Sequence, residues 1–123
     1  MAPKIKLEGD KKFKKKLQKL AKKHKGGTVL VGYTANYAVY VHEMVGANFQ
    51  RPGSKAKFLE EPLRTNSDKY FNTVKKTIQS GGAFMSGLIL AGLSLQRDSV
   101  KICPVDTGNL RASAFTRKEK EDG

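Results

Sequence analysis

A single cysteine, Cys103, and two histidines, His24 and His42, are all the thiol and imidazole chemistry this sequence carries. One cysteine forms no internal disulfide, so nothing in the chain points to secretion. One Cys and two scattered His match none of the usual zinc-ligand spacings, and neither a metal nor a cofactor is expected. The longest apolar stretch, GLILAGLSL at 87–95, is far short of a membrane span, so no membrane partner is expected. No apolar run follows the basic N-terminus, which argues against a signal peptide and for folding in a reducing cytoplasm. Arginine is missing from residues 1–25 altogether.

What those residues do have is lysine. Eleven lysines stand there against Glu8 and Asp10, a local charge of +9, whereas the remaining 98 residues supply only +4 of the net +13. Such a segment is drawn to polyanions, either nucleic acid or an acidic protein surface; the plainer alternative is a solvated face that keeps a small protein soluble. The candidate polyanion contacts are Lys12, Lys15, Lys16, Lys19, Lys22 and Lys23. Without arginine, whose planar fork grips phosphate bidentately, and without interleaved aromatics, base-specific reading of nucleic acid is not expected.

A chain of 123 residues supports one domain with a modest core. Residues 1–26 read as a lysine-rich helix or arm, with Phe13, Leu17, Leu20, Ala21 and His24 on one apolar stripe and Gly26-Gly27 ending it. TVLVGYT at 28–34 is β-branched and short, which predicts a strand. Tyr37, Tyr40, Val41 and Met44 fall at helical spacing and predict a short helix. Residues 45–57 read as an exposed loop rich in Gly, Pro and basic residues.

FLEEPLRTNSDKYFNTVKKTIQ predicts one long helix, with Pro62 in its first turn and Leu59, Leu63, Asn66, Tyr70, Val74 and Ile78 along one side. A further helix over about 84–101 carries Met85, Leu88, Ile89, Leu93, Leu95, Val100 and Ile102. Its Gly87 and Gly92 would let a neighbouring backbone approach closely, and Pro104 stops it. AFTRKEKEDG predicts a short strand leading into a charged tail. The expected fold is α+β: about three helices on a small β-sheet, a single domain with a core at 27–116 and a tail at 117–123.

Catalysis needs converging groups, and the sequence offers few. Cys103 lies at the end of an apolar helix, remote in sequence from both histidines, where a buried structural thiol is the commoner outcome. Glu60 and Glu61 are adjacent on a helix and so point apart. DTGNLR at 106–111 lacks the Gly-rich run ending in Lys-Ser or Lys-Thr that cradles a nucleotide. Its Asp-Thr-Gly triplet also occurs in aspartic proteases, but there between strands of a β-rich fold, whereas here it follows a helix. No enzyme is expected.

Three stretches carry a different resemblance: VGYTANYAVYVHE at 31–43, KAKFLEEPLR at 55–64 and PVDTGNLRASA at 104–114. Together they resemble the small tail-completion and neck (head–tail joining) proteins of tailed bacteriophages. That family has a "YA-x-YVE" segment, a "PFL-x-PAL"-like helix start and a "PVDTG-x-L-x-x-S" segment. Tyr37, Ala38, Tyr40, Val41 and Glu43 match the first; Phe58, Leu59, Pro62 and Leu63 the second; Pro104, Val105, Asp106, Thr107, Gly108, Leu110 and Ser113 the third. The order differs, since PVDTG precedes YA-x-YVE in the commonest members, and His42 and the extended loop are further departures.

The resemblance implies a virion structural protein, assembled in the host cytoplasm and located at the neck. It would form a homo-oligomeric ring against the portal or adaptor and the tail or other neck proteins. Phe49, Arg51, Lys55, Lys57 and Arg111 are the candidate interface residues, although loop 45–57 is equally read as an ordinary surface loop. The lysine helix would either face DNA in the channel or clamp an acidic partner. The alternative function is a small basic DNA-binding protein using residues 1–25.

Within CPVDTGNLRASA, Pro104 ends a helix, Asp106 caps the next turn with Thr107, and Gly108 frees the bend. Asp106→Ala is expected to lower stability by about 1 kcal/mol, the usual size of a lost cap, as read by a thermal melt.

Overall fold

The computed structural model describes residues 11–23, 28–35, 38, 57–104 and 109–118. Among them are five helices and two strands: α1 (Lys11–Lys23), β1 (Val29–Tyr33), α2 (Glu60–Thr65), α3 (Ser67–Gln79), α4 (Phe84–Ile102), α5 (Asn109–Ala112) and β2 (Ala114–Lys118). The two strands form an antiparallel sheet with Val29 opposite Lys118 and Tyr33 opposite Ala114. This is the expected α+β architecture in one small domain.

The sheet alternates as a two-faced strand pair must. Val29, Val31 and Thr116 turn toward α4, where their γ carbons crowd the Cα of Gly92. Phe115 turns to the other face, over Gly32, and Arg117 lies across its ring at 5.1 Å. α4 thus has the sheet on one side and α3 on another, with α2 also in contact.

Two glycines make that position of α4 possible. A β-carbon at Gly87 would sit 3.0 Å from the Cα of Val74 and 3.2 Å from its carbonyl oxygen, both backbone atoms of α3. One at Gly92 would sit 2.8 Å from Thr116 Cγ2 and 3.1 Å from Val29 Cγ1. Five residues of helix turn the chain by about 140°, so the two glycines open two different faces of one rod. Between and beside them Phe84, Ala91, Leu95 and Ser99 are buried.

The core cluster is Tyr33, Ala38, Phe58, Leu59, Tyr70, Val74, Phe84, Ala91, Leu95, Cys103 and Leu110. Leu17 and Leu20 of α1, Leu63 and Ile78 pack against it partly buried. The apolar stripe of the lysine helix is therefore docked at these two leucines, and α1 lies against α3.

Three details differ from the sequence expectation. The long helix is broken at Asn66 (φ −112°, ψ 19°) into α2 and α3, although Asn66 N–H still donates to the Pro62 carbonyl at 2.8 Å. Asparagine is a poor interior helix residue, and the bend lets Phe58 and Leu59 face the same core as Tyr70 and Val74. Leu93, one of the apolar residues the sequence puts on α4, is 47% exposed, and Leu90 is 51% exposed. The inward arc holds Phe84, Gly87, Ala91, Gly92, Leu95 and Ser99, and at 100° per residue Leu90 and Leu93 fall on the opposite side of the helix. Finally, β2 runs to Lys118, so Arg117 and Lys118 pair with Leu30 and Val29 instead of starting a tail.

Helix ends follow the expected punctuation. α3 closes at Ser80 and Gly81, the latter with φ +89°, and α4 closes at Cys103 before the buried Pro104. Apart from Ala38, the predicted helix at 36–44 lies outside the described residues, as do loop residues 45–56, the Asp106 cap, Gly26 and Gly27.

Gly87→Ala is expected to lower stability by up to about 2 kcal/mol in a thermal or urea melt. Overpacking against rigid backbone costs about 1–3 kcal/mol and outweighs the roughly 1 kcal/mol gained in helix propensity.

Candidate interaction surfaces

The family-motif residues that fall on described positions are core residues. Phe58 and Leu59 are fully buried, Leu110 nearly so, and Leu63 packs beside them. Phe58 meets the ring of Tyr33 edge-on at 5.0 Å and 86°. Pro104 is fully buried beside the fully buried thiol of Cys103, whose Sγ lies 3.5 Å from the Pro104 carbonyl. Such a thiol is shielded from substrate, as the structural reading of Cys103 required. Tyr37, Tyr40, Val41, Asp106, Thr107 and Gly108 lie outside the described residues.

Of the candidate interface residues, Arg111 is exposed on α5. Lys57 opens the turn into α2: it adopts φ +56°, its carbonyl accepts the Glu61 N–H at 2.8 Å, and its ammonium lies 3.6 Å from Glu60. Its geometry is that of a helix entry. Phe49, Arg51 and Lys55 lie outside the described residues.

Two polar contacts at adjacent positions of α4 hold the domain in two directions. Ser99, fully buried, shares a 2.6 Å hydrogen bond with the hydroxyl of Tyr33 on β1. Burial pushes the Tyr33 hydroxyl well above its ordinary pKa, so it stays a neutral hydrogen-bonding group. Asp98 accepts from both the Tyr70 hydroxyl and the Lys69 ammonium of α3, each at 2.6 Å. The Tyr70 hydroxyl is likewise raised, by burial first and then by its bond to the Asp98 carboxylate. For Asp98 itself burial acts upward, but the bonds from Lys69 and Tyr70 and the charges of Lys69 and Lys101 outweigh it and hold the carboxyl below its usual value. The sequence pattern does not single out Asp98 and Ser99, which sit within a run of four polar residues, 96–99, where the apolar character of α4 lapses.

The surface offers two contrasting faces. Lys15, Lys16, Lys19 and Lys22 are exposed on α1, while the side chains of Lys12 and Lys23 lie outside the described set. On α3, Lys75 and Lys76 are exposed as well. The ammoniums of Lys16 and Lys75 lie 5.5 and 5.7 Å from the centre of the half-buried Phe71 ring, from two different helices. Lys16 also approaches Asp68 at 3.8 Å, a pair open to solvent and worth little by itself. The second face is the outer side of α4, where Leu90 and Leu93 stand exposed within a segment, 84–96, that has no charged residue.

Among the described residues no group of three or more His, Cys, Asp or Glu side chains could hold a metal ion, and no helix is long and apolar enough to cross a membrane. Comparison with protein-family models, with curated proteins and with solved structures returns no match to this chain.

Asp98→Asn is expected to lower stability near neutral pH by about 1–2 kcal/mol, because Tyr70 and Lys69 lose a charged acceptor. The native carboxyl is held below the ordinary 3.8, so its contribution is present above that pH and is lost as pH falls through and below it. Urea melts from pH 7 to pH 3 should therefore show a shallower acid loss in the variant than in the parent.

Proposed function

We propose that this chain is a non-enzymatic virion structural protein of a tailed bacteriophage. It acts as a ring-forming subunit of the head–tail connector, or neck, or of the tail-completion layer. The observation that carries this reading is the convergence of the three resembling stretches. Ala38 from the first, Phe58 and Leu59 from the second and Leu110 from the third belong to one buried cluster, although they are far apart in sequence. Residues that serve a shared assembly fold by packing are expected to converge in this way.

The charge distribution supports self-assembly through one particular face. Copies carrying a net charge of +13 repel one another over most of their surface. The uncharged 84–96 segment, with Leu90 and Leu93 outward, is where two copies approach at least electrostatic cost. Set against a different face of the next copy, this segment would make a head-to-tail contact that repeated rotation closes into a ring. Portal, adaptor, tail and other neck proteins are the partners this role brings, with Arg111 on a second exposed edge.

A second reading, a small basic DNA-binding protein, is favoured by the exposed lysines of α1. Mass photometry and negative-stain microscopy of the purified full chain separate the two. Rings are expected, and Leu90→Asp with Leu93→Asp should convert them to monomers without changing the thermal melt. A chain that stays monomeric at all concentrations and is absent from particles overturns the proposal. A monomer that binds duplex DNA tightly establishes the second reading.

A further inference from the structure

We infer that α1 and α3 together form one phosphate-binding platform, centred on Phe71, for the backbone of duplex DNA. This rests on reading the lysine face as a polyanion contact and is independent of ring formation. The sequence placed the basic charge on the N-terminal segment alone. Docking of Leu17 and Leu20 brings that segment against α3 and adds Lys75 and Lys76 to the same charged field.

The Phe71 ring is the junction. Lys16 from one helix and Lys75 from the other both lie within 6 Å of its centre, where the negative face of the ring offsets part of their repulsion. Two like charges gathered in this way create a local excess that an anion relieves. α1 contributes eight lysines and no acidic residue, and α3 contributes Lys69, Lys75 and Lys76 against Asp68. Lys69 is already committed to Asp98, which leaves Lys75 and Lys76 as the contribution of α3 to the platform.

DNA fits this surface better than an acidic protein does. The exposed positions described on the platform are Lys15, Lys16, Lys19, Lys22, Asn72, Lys75, Lys76 and polar neighbours, with Asp68, 3.8 Å from Lys16, the acidic group among them and no exposed apolar side chain. Protein interfaces need an apolar or aromatic anchor and are depleted in lysine. Neither helix carries an arginine for bidentate carboxylate pairing. Phosphate binding needs neither feature. A helix of 13 residues is about 20 Å long, which spans roughly six phosphates of one strand.

The test is fluorescence-anisotropy binding of the full chain to a random-sequence DNA duplex between 50 and 200 mM salt. Each phosphate contact contributes about −0.9 to the log–log salt slope. Lys75→Gln with Lys76→Gln should flatten that slope by about 2 and weaken binding at low salt. Lys15→Gln, Lys19→Gln and Lys22→Gln together should flatten it by about 3. Thermal melts and oligomer size should stay unchanged in both variants, so a failure of DNA binding is read separately from a failure of assembly. A slope untouched by the α3 pair overturns the two-helix platform. So does undetectable binding to DNA at low salt, and if poly-glutamate binds under those conditions, the surface belongs to an acidic protein instead.

Discussion

Everything in this domain depends on how closely α4 is approached. Its contact with α3 runs through Gly87 at backbone distance from Val74, and its contact with the sheet runs through Gly92 beneath Thr116, Val29 and Val31. A small chain has little apolar area to bury, so shortening the distance between layers is the efficient way to a dry interior. The hydroxyl of Thr116 reinforces the approach: it lies 2.7 Å from the Gln96 side-chain oxygen and 3.2 Å from the Gly92 carbonyl, either of which can accept its one proton. Leu90 and Leu93 lie on the opposite side of the same helix and face solvent.

Close packing alone leaves elements free to slide, and the polar clamp at Asp98 and Ser99 removes that freedom. One residue reaches α3 and the next reaches β1, so the last turns of α4 fix both layers in register. Tyr33 and Tyr70 each supply a large apolar body to the core and one hydroxyl to the clamp. These bonds are directional, whereas the surrounding contacts are not, which is why two of them suffice to define the arrangement.

Much of this was legible in the sequence, and for identifiable reasons. The β-branched run at 28–34, the apolar periodicity of 67–79 and the stops at Gly81 and Pro104 are local signals, and the corresponding elements appear where those signals lie. The role of Gly87 and Gly92 was likewise readable, because glycine inside an apolar helix has few other physical uses. The orientation of Leu93 was not, since which arc of an evenly apolar helix turns inward depends on partners that are distant in the chain. The bend at Asn66 was hidden for a similar reason: the helical period continues across it. Of the surface, the lysines of α1 were plain from composition, but their union with Lys75 over Phe71 exists only after the two helices dock.

The buried thiol gives this architecture an unplanned use. Cys103 is the sole cysteine of the chain, fully enclosed at the exit of α4 beside Pro104, and in the same cluster as Tyr33 and Leu110. A thiol-modifying reagent reaches it only in those moments when the packing around Cys103 opens. Its modification rate is therefore a clock for local unfolding at the point where the chain turns from its central helix back to the sheet.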